Sequence, residues 1–156
     1  MSESVKLFGQ CFLVRMLRVP SHISQEEFES LKIQDMTFVA YRNEVYPHKY
    51  EVFYEEHAVI VVLEGEKKFS GPSQEVHVTK GDILFIERGF YLMSESINET
   101  YKSLVVFFDE KLLKEFVGLH SGVFDQGKGV VSKKKSNPIL QLHADENFEN
   151  FIQSIL

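Results

Sequence analysis

Short apolar segments, most of them alternating with polar positions, fill the first two thirds of the chain, and period-two alternation predicts strands rather than helices. Met36 to Tyr41 sets Met36, Phe38 and Ala40 against Thr37, Val39 and Tyr41. Glu75 to Thr79 puts Val76 and Val78 on one side. Ala58 to Leu63 is apolar at every position, which predicts a strand covered on both faces and therefore central in its sheet. Phe12 to Leu17, Tyr50 to Tyr54, Lys67 to Ser70, Ile83 to Ile86, Phe90 to Met93 and Ser103 to Phe108 read as strands too. Glu64-Gly65-Glu66, Gly71-Pro72-Ser73 and Lys80-Gly81-Asp82 are turns between them. About nine short strands punctuated this way predict an all-β sandwich or barrel.

Three stretches switch to helical spacing. Ser24 with Glu27 three residues on is a capping box, and Ile23 and Phe28 are placed as a hydrophobic staple, which predicts a short helix near Gln25 to Lys32. Asp109 predicts an N-cap, followed by the apolar face Leu112, Leu113, Phe116 and Val117, with Gly118 at the C′ position. The third helix starts at Asp145 and carries the stripe Phe148, Phe151, Ile152, Ile155 and Leu156. That stripe runs to the last residue without a Gly or Asn cap, a basic last turn or a polar tail, so the expectation is that Leu156 lies inside a longer chain. Between the second and third helices, Pro138 to His143 reads as one more strand.

Composition narrows the class. A length of 156 residues is one domain, long enough to bury a core without disulfides or metals, and the single cysteine, Cys11, allows no internal disulfide. Lys plus Arg number 17 and Asp plus Glu 23, a net charge of −6 that suits no phosphate backbone, so the chain by itself is not expected to grip nucleic acid. The run Lys133-Lys134-Lys135 sits in the Gly-containing loop from Gly122 to Asn137 and reads as solvated surface. The longest apolar run is far short of the ~20 residues of a membrane span, and the N-terminus has no signal-peptide pattern, so a cytoplasmic location without membrane association is expected. Fourteen Phe and no Trp predict a core built on Phe.

Two passages then carry a family likeness: Val61-Val62-Leu63-Glu64-Gly65-Glu66, and Lys80-Gly81-Asp82-Ile83-Leu84-Phe85-Ile86-Glu87-Arg88-Gly89-Phe90. Together they resemble the two motifs of a cupin, a double-stranded β-helix or jelly-roll barrel. The order of elements that follows resembles the N-terminal regulatory domain of AraC-family transcription activators, particularly the ExsA-like group, over residues 45 to 156. The expected fold is therefore mainly β: a cupin barrel with flanking short helices and a C-terminal amphipathic helix. Residues 1–44 would join the barrel as N-terminal strands and a short helix, 45–108 form its core, and 109–156 add helix, loop, strand and the start of a linker helix.

The resemblance implies a regulatory module that self-associates as a homodimer and receives a signal. The signal is a small effector or, as in the ExsA-like group, a protein anti-activator. DNA would be reached only through a helix-turn-helix domain absent from this chain. Metal-binding cupins use an H-x-H pair, a Glu and a later His. Here His48-Lys49-Tyr50 supplies one His, Glu55 and His57 are the neighbouring candidates, and Leu92 stands where the last His belongs, so no metal and no cofactor are expected. No nucleophile elbow or phosphate-cradling Gly loop is present, Cys11 lies in an apolar run, and Glu55-Glu56 point to opposite faces of a strand, so no enzyme is expected. A free-standing cupin enzyme or metabolite binder is the alternative.

Candidate pocket residues are His48, Tyr50, Phe53 and His57. With Phe53, Phe69, Phe85, Phe90 and Phe107 in or near strands, the barrel is expected to be filled or nearly so, which favours a protein partner over a small effector. The candidate self-association surface is the last stripe, Phe148, Phe151, Ile152, Ile155 and Leu156.

Overall fold

A computed structural model describes residues 16–23, 28–43, 50–95, 100–124 and 137–155. In chain order the strands are β1 (Leu17–Val19), β2 (Glu29–Ile33), β3 (Met36–Asn43), β4 (Tyr50–Tyr54), β5 (His57–Glu64) and β6 (Glu66–Ser70). They continue with β7 (Glu75–Thr79), β8 (Asp82–Ile86), β9 (Gly89–Glu95) and β10 (Tyr101–Phe108). Helices α1 (Glu110–Leu119) and α2 (Ser121–Phe124) follow, then β11 (Ile139–His143) and α3 (Glu146–Ile155). The expected strand from Phe12 to Leu17 lies mostly outside the described residues.

Two sheets face one another. One has the order β1-β4-β9-β6-β7, the other β11-β8-β5-β10-β3-β2. Every pairing is antiparallel except β1 with β4. The fully apolar β5 is central, between β8 and β10, as its pattern predicts. The core fills the space between the sheets and is made of alternate residues: Ala58, Ile60 and Val62 from β5, Leu84 and Ile86 from β8, Val105 and Phe107 from β10.

Local polar chemistry sets the ends of the elements. Gly81 has φ +90°, a conformation that L side chains rarely adopt, and Asp82 closes its turn by accepting the Thr79 N–H at 2.8 Å. The same carboxylate accepts from Gln141 Nε2 at 3.2 Å and contacts His143 Nδ1 at 3.1 Å, fastening β11 to β8. Burial pushes the Asp82 carboxyl up, but the hydrogen bonds from Thr79, His143 and Gln141 outweigh it and hold its pKa below the ordinary aspartate value. A depressed folded-state pKa gives stability that is fully present above the unfolded value near ~4 and disappears as pH falls through the folded value. Asp82→Ala is therefore expected to cost about 1.5–3 kcal/mol at pH 7 and to flatten the acid limb of the stability curve below about pH 4, as read by urea titrations across pH.

Asp109 caps α1 by accepting the Leu112 N–H at 2.8 Å, and Asp145 caps α3 by accepting the Phe148 N–H at 2.8 Å. Gly118 does not end α1. It stays helical, and the cap falls at His120, whose N–H donates to the Phe116 carbonyl at 3.1 Å. The helix expected over Gln25 to Lys32 is also overturned. Residues 24–27 lie outside the described residues, but Glu29–Ile33 is strand β2, paired with β3 from Ile33↔Met36 to Glu29↔Ala40. A two-residue turn with Gln34 at φ +52° joins them, so cross-strand pairing wins over the local capping signal.

Candidate functional site

Between the two sheets lies a cavity of about 360 Å³, near the lower end of the ~300–1,000 Å³ typical of small-molecule sites. Its walls are the inward-facing positions of both sheets, among them Val52, Tyr54, Ile60, Phe69, Met93 and Phe107. Most lining side chains are buried. Those that keep solvent contact are Leu17, His22, Ile23, Phe28 and Tyr41, so the mouth lies at that end. The turn after β1 is fixed there by Glu55, which accepts from Arg18 Nε at 3.0 Å and from the Ser21 N–H at 3.1 Å. The Ser21 hydrogen bond leads the effects that lower the Glu55 pKa. Within this turn His22 Nδ1 accepts the Arg18 N–H at 3.1 Å, which leaves Nε2 as the protonated nitrogen.

Among the described residues, the lining is mostly apolar and Lys67 is its one Lys, Arg, Asp or Glu. Lys67 lines the cavity and is only 3% exposed. It sits in β6 in register with Val78, so its side chain points inward with that of Phe69. Its ammonium lies 4.7 Å from the centre of the Tyr41 ring, 4.9 Å from that of Tyr101 and 5.8 Å from that of Phe69. Electron-rich ring faces stabilise a cation that has lost its water. His22, Ser103 and the tyrosines Tyr41, Tyr54 and Tyr101 are the other described lining residues with polar side-chain atoms. Burial raises the Tyr54 pKa well above the ordinary tyrosine value, so its hydroxyl stays neutral at physiological pH.

The interior is thus not filled, contrary to expectation, and the reason is the side on which each Phe falls. Phe69 and Phe107 point in. Phe53, Phe85 and Phe90 alternate outward: the Phe53 ring is 4.6 Å from that of Phe90, with the Arg18 guanidinium 5.0 Å from its centre. The candidate pocket residues are placed accordingly. Phe53 does not line the cavity, and neither does His57, which packs on the outer face against Phe85 and Phe108 and accepts the Arg88 N–H at 3.3 Å. Tyr50 begins β4 opposite Met93, and His48 lies outside the described residues. Lys67, Tyr41 and Tyr101 were missed. On the last stripe, Ile152 is buried, Phe148 is half-buried, Phe151 and Ile155 are exposed, and Leu156 lies outside the described residues. Among the described residues no group of three His, Cys, Asp or Glu side chains is placed to hold a metal ion, and no helix is long and apolar enough to cross a membrane.

A two-sheet barrel with an apolar internal cavity, followed by helices and a returning strand, is a cupin-like fold. The model of the ExsA N-terminal regulatory domain matches residues 57–156, and the chain belongs to that family. A regulatory-domain family points to a non-enzyme. Comparison with curated protein sequences returned no match.

Among solved structures, ToxT from Vibrio cholerae is similar in fold, with TM-score 0.56 and 12% identity over 78% of this chain and 47% of that one. ToxT bound to an unsaturated fatty acid gives TM-score 0.50 and 13% identity, over 80% of this chain and 47% of that one. ToxT bound to (E)-4-(8-methylnaphthalen-1-yl)but-3-enoic acid gives 0.53 and 10%, over 78% and 47%. The chain therefore spans just under half the length of the ToxT structures it matches.

Proposed function

We propose that this domain is the sensing half of an AraC-type transcription regulator, and that its signal is a small apolar acid bound in the barrel cavity. The observation that carries the reading is the buried Lys67 on the wall of a chamber whose described lining is mostly apolar. A carboxylate placed beside it would form a charge-assisted bond in a low-dielectric setting, while the hydrocarbon part would cover Val52, Ile60, Phe69 and Met93. Two acids bound by ToxT, a protein of the same fold, support the same ligand class. The open interior moves the balance from a protein anti-activator to a small effector. The output would pass to a DNA-reading half outside these 156 residues, since the net charge of −6 suits no nucleic acid.

Oleate is the first probe, with calorimetry for stoichiometry and thermal unfolding for linkage. One molecule per chain is expected. At a hundredfold excess over Kd, binding adds about 2.7 kcal/mol of stability, roughly 5–10 °C in Tm for a chain of this size. Val39→Phe projects a ring into the cavity from β3 and is expected to abolish binding while the domain still unfolds cooperatively. Absence of any calorimetric or thermal response to oleate in the wild-type chain would remove the proposed ligand class.

A further inference from the structure

The polar side chains on the cavity wall stand at two separate levels of the barrel. Lys67 lies with Tyr41, Tyr101 and Ser103 at one level, and His22 lines the mouth at another. The pairing registers give the separation. Lys67 of β6 is opposite Glu95 of β9, whereas Arg18, against which His22 folds back, is level with Phe90 of β9 through Phe53. The strand from Phe90 to Glu95 spans about 17 Å at ~3.4 Å per residue. The level between them is apolar: Val105 of β10 pairs with Val39 and Ile60, and all three line the cavity. Tyr54, level with Val19, adds a hydroxyl at the His22 end.

The turn that carries His22 is braced by its own backbone. The His22 N–H donates to the Arg18 carbonyl at 2.8 Å, the Ile23 N–H to the Pro20 carbonyl at 3.0 Å, and the Glu55 N–H to the Val19 carbonyl at 2.8 Å. The Glu55 carboxylate adds its bonds to Arg18 and Ser21. The imidazole is fixed as well, because Nδ1 accepts the Arg18 N–H and so places the ring hydrogen on Nε2. Nε2 has no hydrogen-bond partner among the described residues. A donor held on a rigid turn at the edge of a mostly apolar chamber is the kind of group that orients a ligand and sets specificity.

The geometry points to a ligand with two polar ends, an inference that rests on the reading of the cavity as a site for an apolar acid. The carboxylate sits at Lys67, and a hydroxyl towards the far end of the chain accepts the Nε2 hydrogen of His22. His22 is then the residue that selects hydroxylated apolar acids over plain ones. A methyl terminus at the mouth gains nothing from the imidazole and leaves its donor to water. A hydroxyl there gains a hydrogen bond while keeping part of its own hydration, because His22 is exposed and the mouth is open to solvent.

Calorimetry with 12-hydroxydodecanoate and 16-hydroxyhexadecanoate, each against the plain acid of the same length, tests this. At least one hydroxy acid is expected to bind roughly three- to tenfold tighter than its plain counterpart, the size of one net hydrogen bond. His22→Asn keeps an acceptor near the place of Nδ1 for the Arg18 N–H and has nothing at the place of Nε2. It should bind the plain acids as the wild type does, keep the same Tm, and lose the preference for the hydroxy acid. Equal affinities within both pairs would overturn the proposal. So would a preference that survives in His22→Asn, which would put the hydroxyl on another group such as Tyr54, or an equal loss of both acids in that variant, which would leave His22 a part of the turn alone. Each of these results leaves plain-acid binding by the wild type, and with it the apolar-acid reading, intact. A wild type that binds neither kind of acid ends both.

Discussion

Gly65→Ala is expected to lower Tm by roughly 10 °C or more. Gly65 makes the turn between β5 and β6 with φ +77°, a left-handed conformation that costs a residue with a Cβ about 1–2 kcal/mol. Sterics add to this. A Cβ built there lies 2.6 Å from the Thr100 carbonyl oxygen and 3.0 Å from the Tyr101 Cα, and these are backbone atoms at the start of β10 that cannot swing aside. Moving them strains the pairing of Lys102 and Ser103 with β5, where the ladder already shifts register. The combined penalty is about 3–5 kcal/mol, a large share of the stability of a single domain. Gly118→Ala is the matched control with the opposite sign. That glycine is the last-but-one residue of α1 and still helical, with nothing within 4 Å of the added methyl, so the substitution should stabilise by up to about 0.5–1 kcal/mol. Thermal unfolding of both variants checks the pair, and equal melting curves would refute the steric account. The Gly65 turn also positions the site, since Lys67 follows it by two residues and Tyr101 lies under it.

The legible parts of the fold are those set by local chemistry or by an unambiguous pattern. Ala58 to Leu63 could be placed at the centre of a sheet because no polar residue interrupts it. Asp109 could be placed as a cap because it needs only its own helix's N–H groups, and Asp145, read as the start of the third helix, caps that helix in the same way. The tail of the short β2 segment was misread for the complementary reason. Its capping signal is local, while what makes Glu29–Ile33 a strand is the partner β3 across a two-residue turn. The candidate site fared worse, because counting aromatic residues says nothing about which face they occupy. On β4 the inward positions are Val52 and Tyr54, so Phe53 faces out, and on β5 the inward series Ala58, Ile60, Val62 leaves His57 outside. A usable signal for Lys67 was nonetheless present. Glu75 to Thr79 has a clear inward pair in Val76 and Val78, and the turn at Gly71-Pro72-Ser73 folds Phe69 onto Val76 and Lys67 onto Val78. Following that hairpin would have put a lysine inside the barrel.

Lys67→Met is expected to separate recognition of the acid from recognition of its chain. Methionine keeps the length and the apolar stem of lysine and removes only the charge. A charge-assisted hydrogen bond contributes about 1.5–3 kcal/mol, so affinity for oleate should fall roughly 10- to 150-fold. Affinity for the matching alcohol, oleyl alcohol, should hardly change, because its hydrocarbon portion meets the same Val52, Ile60, Phe69 and Met93 surface. Calorimetric titration of both ligands into both proteins gives the comparison. Equal losses for acid and alcohol would mean that Lys67 shapes the cavity without reading charge, and unchanged affinity for the acid would place its carboxylate elsewhere, with the mouth at His22 as the next position to test.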